Sequence, residues 1–395
     1  PKLSRWGRRV TAIAGRAARP EPSPRPAIDF GFGRSFPHIF PYAIWRRLLA
    51  RYLSTDDAML ARYGSAAGFE PLRQAVAAYL GRQRGVRCAA GQVVIVSGMQ
   101  QALDVLARLL LNPGDEVLVE SPGYSDAFEL FRAYGAQLQP LAADDGGFPV
   151  ERIPAGSPAR LAFVTPANQF PRGGAMPLER RLALLAWART AGALILEDDY
   201  AGELRYSGHP LAALQGLDDD GRVIYLGTFS KVLFPALRLG YVVLPAGLTA
   251  PFLAAMELVD RGAPTLTQAA VADFIAEGHF ERHLRRLRLE YGARRAALAA
   301  ALERHLGDLA RHSADPAGLH IMAYLDPALD EGRLVREAAA AGVGLTAGGP
   351  YHLGPPPGPS ILLGFSGLTT AEIEAGIGRL ARLVKAQLAA GRPNL

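Results

Sequence analysis

The stretch "GRVIYLGTFSKVLFPALRLG", residues 221–240, places an unusual residue directly after an apolar run that predicts a buried strand. That residue, Lys231, is one of only three lysines among 43 Lys and Arg residues, and the other two, Lys2 and Lys385, lie near the chain ends. An arginine stays protonated inside a protein, whereas a desolvated lysine can lose its proton and act as a nucleophilic amine. The residue type therefore points to Schiff-base chemistry, with a chance surface lysine as the alternative.

The sequence on both sides of this stretch alternates between apolar strands and helices. Strands are predicted for QVVIVSG, DEVLVESPGY, ARLAFVTP and GALILEDD, and helices for PYAIWRRLLARYL, GFEPLRQAVAAYLGRQRG, MQQALDVLARLLL, SDAFELFRAYG and ERRLALLAWARTAG. This alternation indicates an α/β fold with a mostly parallel central sheet covered by helices, accompanied by a smaller α+β domain.

Four segments are expected along the chain. Residues 1–27 carry six arginines and form a basic, Pro-rich linker or arm, whose Pro-rich end should be extended. Residues 28–54 should contribute to a small domain, and residues 55–265 should form the large ligand-binding domain. Residues 266–395 should hold a long basic helix over 268–306 and the rest of the small domain.

Composition narrows the class of protein. Hydrophobic residues make up 49% of the chain and charged residues 20%, which is typical of a globular protein. The single cysteine, Cys88, excludes an internal disulfide and favours a reducing, cytoplasmic location. No apolar run reaches the roughly 18 residues that a membrane helix needs. A net charge of +6 is modest for this length, so a DNA partner is not predicted from charge alone.

Polar side chains follow several predicted strands, where ligands bind in parallel sheets. Ser97, Gly98, Met99 and Gln100 open a helix whose free amides suit a phosphate, although an ordinary turn is the alternative. Tyr124 follows the next strand and can stack on a planar ring.

The two strands nearest Lys231 also end in polar residues. Asp198, Asp199 and Tyr200 end a buried strand, where they suit a metal or, for an aspartate, a protonated pyridine nitrogen. The residues around Lys231 that suit a phosphate dianion are Thr228, Ser230 and Arg238. Together with the lysine, these features predict a pyridoxal 5′-phosphate (PLP) site.

In seven motifs, the chain resembles fold-type I aminotransferases over nearly all of residues 28–395. The motifs are YGSAAGFEPLR, SGMQQALD, ESPGY, TPANQFPRG, LEDDYAGELRY, GRVIYLGTFSKVLFPALRLGYVVLP and EGHFERHLRRLRLEY. More narrowly, they resemble the aminotransferase-like domain of MocR regulators, a branch of the GntR family. The segment LSRWGRR in the arm is similar to the linker that follows the winged helix-turn-helix in those regulators.

The resemblance implies a role for each residue of the site. Lys231 would bind PLP covalently, Asp198 would contact the pyridine nitrogen, and Tyr124 would stack on the ring. Tyr200 would approach the phenolic oxygen, and Asn168 stands in the cofactor site where the branch usually has histidine. The phosphate would be held by Gly98, Met99, Gln100, Thr228, Ser230, Arg238 and, across the interface of a homodimer, Tyr63 of the partner subunit.

One departure from the family bears on the ligand. Aminotransferases carry an arginine near the C-terminus for the substrate carboxylate, and Leu362 stands at the matching position. Asp126 has the wrong sign to replace that arginine, and Arg172 is the nearest candidate. We therefore expect weak or no transamination of common α-amino acids. The expected ligands are PLP alone, an amine, or an amino acid held by Arg172.

Three functions remain open. The first is the effector-sensing and dimerisation domain of a MocR-type regulator, whose DNA-binding winged helix-turn-helix would precede Pro1 and would make all contact with DNA. The second is a free-standing class I/II aminotransferase, and the third is a sensor of PLP itself. No membrane partner is expected.

Two further motifs are weaker. His279 and His283 have a spacing that suits zinc, but no third ligand is evident, so no metal is predicted. GFGRSF, residues 31–36, lacks the third glycine and the preceding strand of a dinucleotide-binding loop.

Overall fold

The computed structural model describes residues 2–17, 26–34, 38–53, 61–208 and 211–391. Most of the Pro-rich end of the arm, which was predicted to be extended, lies outside these ranges. No helix within them is long and apolar enough to cross a membrane.

The described ranges contain helices and strands in alternation. The helices are α1 (Arg5–Ala17), α2 (Tyr42–Leu53), α3 (Glu70–Arg84), α4 (Met99–Leu110), α5 (Ser125–Tyr134), α6 (Leu178–Ala191), α7 (Ala246–Val259), α8 (Thr265–Ala276), α9 (His279–Leu306), α10 (Glu331–Ala340) and α11 (Thr370–Gly391). The strands are β1 (Ile28–Asp29), β2 (Val93–Val96), β3 (Glu116–Ser121), β4 (Gln137–Ala142), β5 (Leu161–Val164), β6 (Leu194–Asp199), β7 (Val223–Thr228), β8 (Gly240–Val243), β9 (Ala310–His312), β10 (His320–Leu325), β11 (Val343–Gly344), β12 (Thr346–Ala347) and β13 (Ser360–Gly364).

The large sheet confirms the expected α/β fold. Its seven strands run in the order β2-β8-β7-β6-β5-β3-β4, and all neighbouring pairs from β7 to β4 are parallel. Strands β2, β5 and β7 are buried along their whole length, which explains why they appear as continuous apolar runs in the sequence. The exception is β8, which pairs antiparallel with both β2 and β7.

A second sheet is formed by the C-terminal part of the chain. Strands β12, β13, β10 and β9 form this antiparallel sheet in that order. The N-terminal β1 pairs in parallel with β11, and α2 packs against α8, so residues near the N-terminus join the C-terminal part. The division into a large and a small domain stays a prediction, but the two sheets are separate.

The prediction of a single long basic helix over residues 268–306 is wrong. The structure has two helices there, α8 and α9, separated at Glu277 and Gly278. Gly278 adopts a φ of 71°, a left-handed conformation that ends a helix and that glycine enters without steric cost.

The first half of the N-terminal arm forms a helix, α1, which packs against α5. The Trp6 ring lies 6.3 Å from the Tyr134 ring, and the Arg9 guanidinium donates a 3.1 Å hydrogen bond to the carbonyl of Ala133. Arg9 therefore binds a carbonyl at the C-terminal end of α5, where cations are favoured.

Candidate functional site

One pocket brings together most of the predicted site residues at the carboxyl edge of the large sheet. It is lined by Phe32, Met99, Gln100, Tyr124, Phe170, Asp198, Tyr200, Thr228, Ser230, Lys231 and Arg238. Most of these residues follow a strand of the large sheet or open a helix, whereas Arg238 precedes β8 and Phe32 belongs to the segment after β1. Parallel strands thus place residues distant in sequence at one edge.

Lys231 directly follows the turn after β7, and its ammonium lies against an aromatic face. The distance from Nζ to the centroid of the Phe32 ring is 4.5 Å. Burial lowers the pKa of Lys231, although attraction to the Asp198 carboxylate opposes this effect. Partial desolvation of this kind favours the neutral, nucleophilic amine that the sequence analysis anticipated.

The two aspartates that end β6 lie in different surroundings. Asp198 lines the pocket, is 5% exposed, and its Oδ1 atom is buried without a hydrogen-bond partner. Burial, reinforced by repulsion from Asp199, raises the pKa of Asp198 to about 8. Asp199 instead accepts hydrogen bonds from Arg84 (2.6 and 2.8 Å) and from the Tyr225 hydroxyl (2.7 Å). Asp199 is therefore structural, and the two carboxylates do not form a metal pair.

The opposite end of the pocket has the geometry of an anion site. Gly98 directly precedes α4 and has a φ of 103°, and a Cβ atom there would lie 3.0 Å from a guanidinium nitrogen of Arg238. The start of α4 offers unpaired backbone amides, and Ser230 Oγ is buried without a hydrogen-bond partner. A helix N-terminus, a guanidinium and a free hydroxyl together suit a phosphate dianion.

Aromatic side chains flank the space between these two ends. Tyr124 is the residue that precedes α5, and burial raises the pKa of its phenol. The Tyr200 hydroxyl accepts a 2.5 Å hydrogen bond from the amide of Asn168. Asn168 therefore acts on the site by orienting Tyr200, a contact that the sequence did not reveal.

A buried hydrogen-bond network holds the loop that carries Asn168. Glu120 accepts hydrogen bonds from Thr165 Oγ1 (2.5 Å) and from Gln169 Nε2 (3.2 Å). Gln169 also donates to the carbonyls of Pro122 (2.9 Å) and Phe170 (2.7 Å). This network fixes the position of Phe170 in the pocket wall. In the sequence, the polar residues of the motifs TPANQF and ESPGY were the only features that indicated such a network.

Arg172 does not line this pocket, and its role as a replacement for a carboxylate-binding arginine stays a prediction. Its guanidinium donates to the Tyr324 hydroxyl (3.1 Å) and to Asp145 (2.9 Å), and it lines a neighbouring pocket with these residues. The position of Leu362 agrees with its apolar character. It is fully buried in a cluster with Phe170, Tyr200, Ala201, Met322 and Tyr351.

Tyr63 also lies outside the pocket of its own chain. It is 85% exposed, and the Arg261 guanidinium lies 5.3 Å from its ring centroid. Its predicted contact with a partner subunit stays a prediction.

The two histidines with zinc-like spacing do not converge. His283 is buried and within 2.8 Å of the Val232 carbonyl, whereas His279 contacts Glu277 and Arg282. No group of three or more potential metal ligands occurs among the residues that the structure describes. In the segment GFGRSF, Phe32 and Gly33 border Lys231, a role that the sequence analysis missed.

The pocket residues fit PLP in three respects. The unpartnered Asp198 Oδ1 atom suits a pyridinium N–H, which would satisfy this buried carboxylate. The anion site at Gly98 and Arg238 suits the phosphate group. Lys231 provides the amine.

The fold and this pocket define a PLP-dependent protein of fold type I. The family model "Aminotransferase class I and II" matches residues 40–380, and the chain belongs to this family.

Similar proteins include both regulators and enzymes. The chain is 39% identical over 383 residues to the probable rhizopine catabolism regulatory protein MocR of Rhizobium meliloti, covering 96% of this chain and 76% of that protein. The kynurenine aminotransferase of Pyrococcus horikoshii has a TM-score of 0.87 at 30% identity and covers 98% of this chain and 96% of its own. The α-aminoadipate aminotransferase of Thermus thermophilus has a TM-score of 0.85 at 30% identity, covering 92% of this chain and 93% of its own. Its structure contains N-(5′-phosphopyridoxyl)-L-leucine.

Proposed function

We propose that this chain is the PLP-binding, effector-sensing and dimerisation part of a MocR-type transcription regulator. The similarity to the Rhizobium meliloti regulator over 96% of the chain supports the regulator class. PLP binding is supported above all by two residues of the pocket. The pKa of Lys231 is lowered, and the Oδ1 atom of Asp198 is buried without a hydrogen-bond partner. Contact with DNA would be made by a winged helix-turn-helix domain preceding this segment.

Each pocket residue has a distinct task in this proposal. Asp198 would hold the pyridine nitrogen in its protonated form, and bound PLP would supply an electron-withdrawing ring. Tyr124 would stack on the ring, and Tyr200, which accepts a hydrogen bond from Asn168, would contact the phenolic oxygen. The phosphate group would be bound by the residues of the anion site: Gly98, Met99, Gln100, Thr228, Ser230 and Arg238.

Borohydride reduction of the PLP-loaded protein, followed by peptide mass spectrometry, tests the assignment of Lys231. We expect a stable cofactor adduct on Lys231 and a visible absorption band before reduction. Both should be absent in Lys231→Ala and unchanged in the control Lys385→Ala. An adduct on Lys2 or Lys385 instead of Lys231 would refute the proposed site.

The regulator assignment has a separate test. The reading frame upstream of Pro1 should encode a winged helix-turn-helix domain, and the full-length protein should bind its own promoter in a gel-shift assay. An upstream frame without a DNA-binding domain, or no promoter binding, would contradict this part of the proposal.

A free-standing aminotransferase is the second candidate function. Its support is the match to the Pyrococcus horikoshii and Thermus thermophilus enzymes over more than 90% of both chains. Rapid conversion of several α-amino acids to keto acids by the purified chain would favour the enzyme over the regulator.

A further inference from the structure

A second pocket lies beside the pocket that contains Lys231, between the loop after β5 and the C-terminal sheet. Its volume is about 820 Å³, which is in the range of small-molecule sites. We call it the basic cleft, and its walls include Arg172, Gly173, Arg311, Ser313, Asp315 and Tyr324.

Arg172 presents a guanidinium with spare hydrogen-bond donors to the basic cleft. Its two terminal nitrogens donate to the Tyr324 hydroxyl (3.1 Å) and to Asp145 (2.9 Å), and each of these nitrogens carries a second N–H. Asp145 is fully exposed, and ion pairs with exposed partners contribute little stability. A ligand anion can therefore bind Arg172 beside Asp145 or in its place.

Arg311 supplies a second guanidinium to the basic cleft. It lies on β9 directly opposite Tyr324 of β10 and lines the cleft with it. Within the part of the chain that the structure describes, Arg311 forms no side-chain hydrogen bond or ion pair. Arg172 contacts the hydroxyl end of the Tyr324 side chain, whereas Arg311 starts beside the Tyr324 backbone. The two guanidinium groups thus approach the cleft from different sides of one tyrosine.

The carboxylates of the basic cleft are compensated by other groups. Asp315 accepts hydrogen bonds from Arg205 (2.8 and 3.0 Å) and also attracts the Arg295 guanidinium. Asp145 is exposed to solvent, which screens its charge. The repulsion of these carboxylates for a bound anion is therefore offset, and the two arginines of the cleft favour anionic ligands.

We propose that the basic cleft is a second ligand site and that it binds a small dicarboxylate. One carboxylate would bind Arg172 and the Tyr324 hydroxyl, which accepts from Arg172 and can donate its own hydrogen. The other carboxylate would bind Arg311. A guanidinium group matches the geometry of a carboxylate, and two guanidinium groups on different sides of the cleft suit a ligand with an acid group at each end.

One turn joins the basic cleft to the PLP pocket. Phe170 lines the PLP pocket, and Arg172, two residues further on, lines the cleft. Gln169 connects the two, because its side chain accepts from the Arg172 amide (3.1 Å) and donates to the Phe170 carbonyl (2.7 Å). A ligand that moves Arg172 therefore acts on the wall of the PLP pocket. The role of the dicarboxylate as an effector rests on the proposed sensing function, whereas its binding does not.

Calorimetry of the PLP-loaded protein with matched ligands tests the site. The probes are succinate, glutarate and adipate, each compared with its diamide and with inorganic phosphate. None of them has an amine, so none reacts with PLP. We expect the best dicarboxylate to bind at least about tenfold more tightly than its diamide, because the diamide cannot form charge-assisted hydrogen bonds. Phosphate should bind more weakly, because it has no second acid group for Arg311. A diamide or phosphate that binds as tightly as every dicarboxylate would overturn the proposal.

Two substitutions test the residues of the basic cleft. Arg311 is exposed, so Arg311→Ala should fold, and it should lower the affinity for the best dicarboxylate at least about tenfold. Arg336→Ala makes the same change on the exposed surface of α10 and should leave this affinity within about twofold. Tyr324→Phe should lower the affinity about fivefold through the loss of one hydrogen bond. Unchanged affinity in Arg311→Ala would show that the dicarboxylate binds elsewhere.

The effector role is tested by titrating the same dicarboxylate into the protein with and without PLP. Two coupled ligands change each other's affinity by the same factor, which we expect to be at least about fivefold. Equal affinities in the two forms would overturn the effector role of the basic cleft. Absence of the PLP adduct on Lys231 would instead refute the proposed PLP site and leave dicarboxylate binding to the PLP-free chain intact, so the two failures are distinguishable.

Discussion

Asp198 and Asp199 are adjacent and chemically identical, yet the strand gives them opposite roles. Successive side chains of β6 point to opposite faces of the sheet, so one carboxylate enters the pocket and the other enters the packed interior. There Asp199 forms a buried ion pair with Arg84, and both side chains are at most 2% exposed. The two aspartates therefore differ only in their position on β6, so the effects of the same substitution at each position can be compared directly.

In the protein without cofactor, Asp198→Asn should stabilise the fold increasingly with pH. The folded pKa of about 8 exceeds the ordinary aspartate value of 3.8. Protonated Asp198 thus contributes stability that is complete below about pH 4 and is lost as the pH rises through about 8. Asparagine is neutral throughout, so the melting temperature of the variant should exceed that of the unmodified protein more at pH 9 than at pH 5. A difference independent of pH would contradict the raised pKa.

Asp199→Asn provides the matched control, and its predicted effect is the opposite. Removing this carboxylate leaves the Arg84 guanidinium buried without its charge partner, at a cost of about 3–5 kcal/mol. Chemical denaturation should therefore show a large loss of stability at both pH 5 and pH 9. A loss of less than about 1 kcal/mol would show that other groups compensate Arg84.

At the scale of single residues, the sequence predicted the site where local context was informative. Lys231 is distinctive because it is a lone lysine after an apolar strand, in a chain that otherwise uses arginine. Phe32 and His320 were missed because their place near the pocket depends on tertiary packing across most of the chain length. The hydrogen bond from Arg172 to Tyr324 was also missed, because the two residues lie 152 positions apart in sequence.

The N-terminus of α4 is the element that presents the anion site. Gly98→Ala should weaken PLP binding, because the added Cβ atom would press on the Arg238 guanidinium and strain a backbone with a φ of 103°. Loss of one charge-assisted contact predicts a decrease in cofactor affinity of roughly tenfold or more, measured by spectral titration.

Gly114→Ala is a control that separates the effect of backbone strain on stability from the effect of Gly98→Ala on PLP binding. Gly114 has a similar φ of 99°, but a Cβ atom there would meet no atom within 4 Å. Both variants should lose about 1 kcal/mol of stability or more, whereas only Gly98→Ala should lose affinity for PLP. Equal losses of affinity would assign the effect to general destabilisation.

Helix α1 contacts α5 through Trp6 and Arg9. Trp6→Ala should remove the contact with Tyr134 and expose the backbone amides of α1 to faster hydrogen exchange, while PLP binding stays unchanged. Thr11→Ala is a suitable control, because the Thr11 hydroxyl donates to the Gly7 carbonyl within α1. Unchanged exchange in Trp6→Ala would show that Trp6 does not hold α1 on α5.

The ends of the helices and strands show where the local sequence pattern is not sufficient to predict the structure. Strands such as β5 and β7 were predicted correctly because burial on both faces makes them continuously apolar. The break between α8 and α9 was missed, because the chain remains helix-favouring around Gly278 and one left-handed glycine suffices to end a helix. The helix α1 was not predicted, and its contact with α5 is a tertiary contact that the local sequence does not show.

At the scale of the molecule, the pocket depends on parts that are far apart in sequence. The large sheet presents Asp198 and Lys231, and the segment after β1 brings Phe32. Leu362 on β13 packs in the buried cluster that contains Phe170 and Tyr200 of the pocket. The alternation of strands and helices predicted the large sheet, because parallel sheets need covering helices. The sequence also led us to expect that residues 28–54 join the C-terminal part, but it did not predict the pairing of β1 with β11, which are more than 300 residues apart.

The exposed Tyr63 is predicted to complete the PLP site of a second copy of the chain. A tyrosine that is 85% exposed and lies outside its own pocket is available to a partner subunit. If Tyr63 reaches the phosphate of the partner's site, Tyr63→Phe should weaken PLP retention about fivefold, the effect of one hydrogen bond of about 1 kcal/mol. Sedimentation should show a homodimer for the PLP-loaded protein, and a stable PLP-loaded monomer would contradict this.

Mixed dimers of Lys231→Ala and Tyr63→Phe subunits distinguish a shared site from a separate one. In a shared arrangement, the site with an intact Lys231 receives Tyr63 from the Lys231→Ala subunit, so one of the two sites is complete. That site should retain PLP with the affinity of the unmodified dimer, at half the stoichiometry. If Tyr63 acted within its own chain, the only site with Lys231 would carry phenylalanine, and its affinity would fall about fivefold. Equilibrium titration of the purified heterodimer therefore decides whether the functional unit is one chain or two.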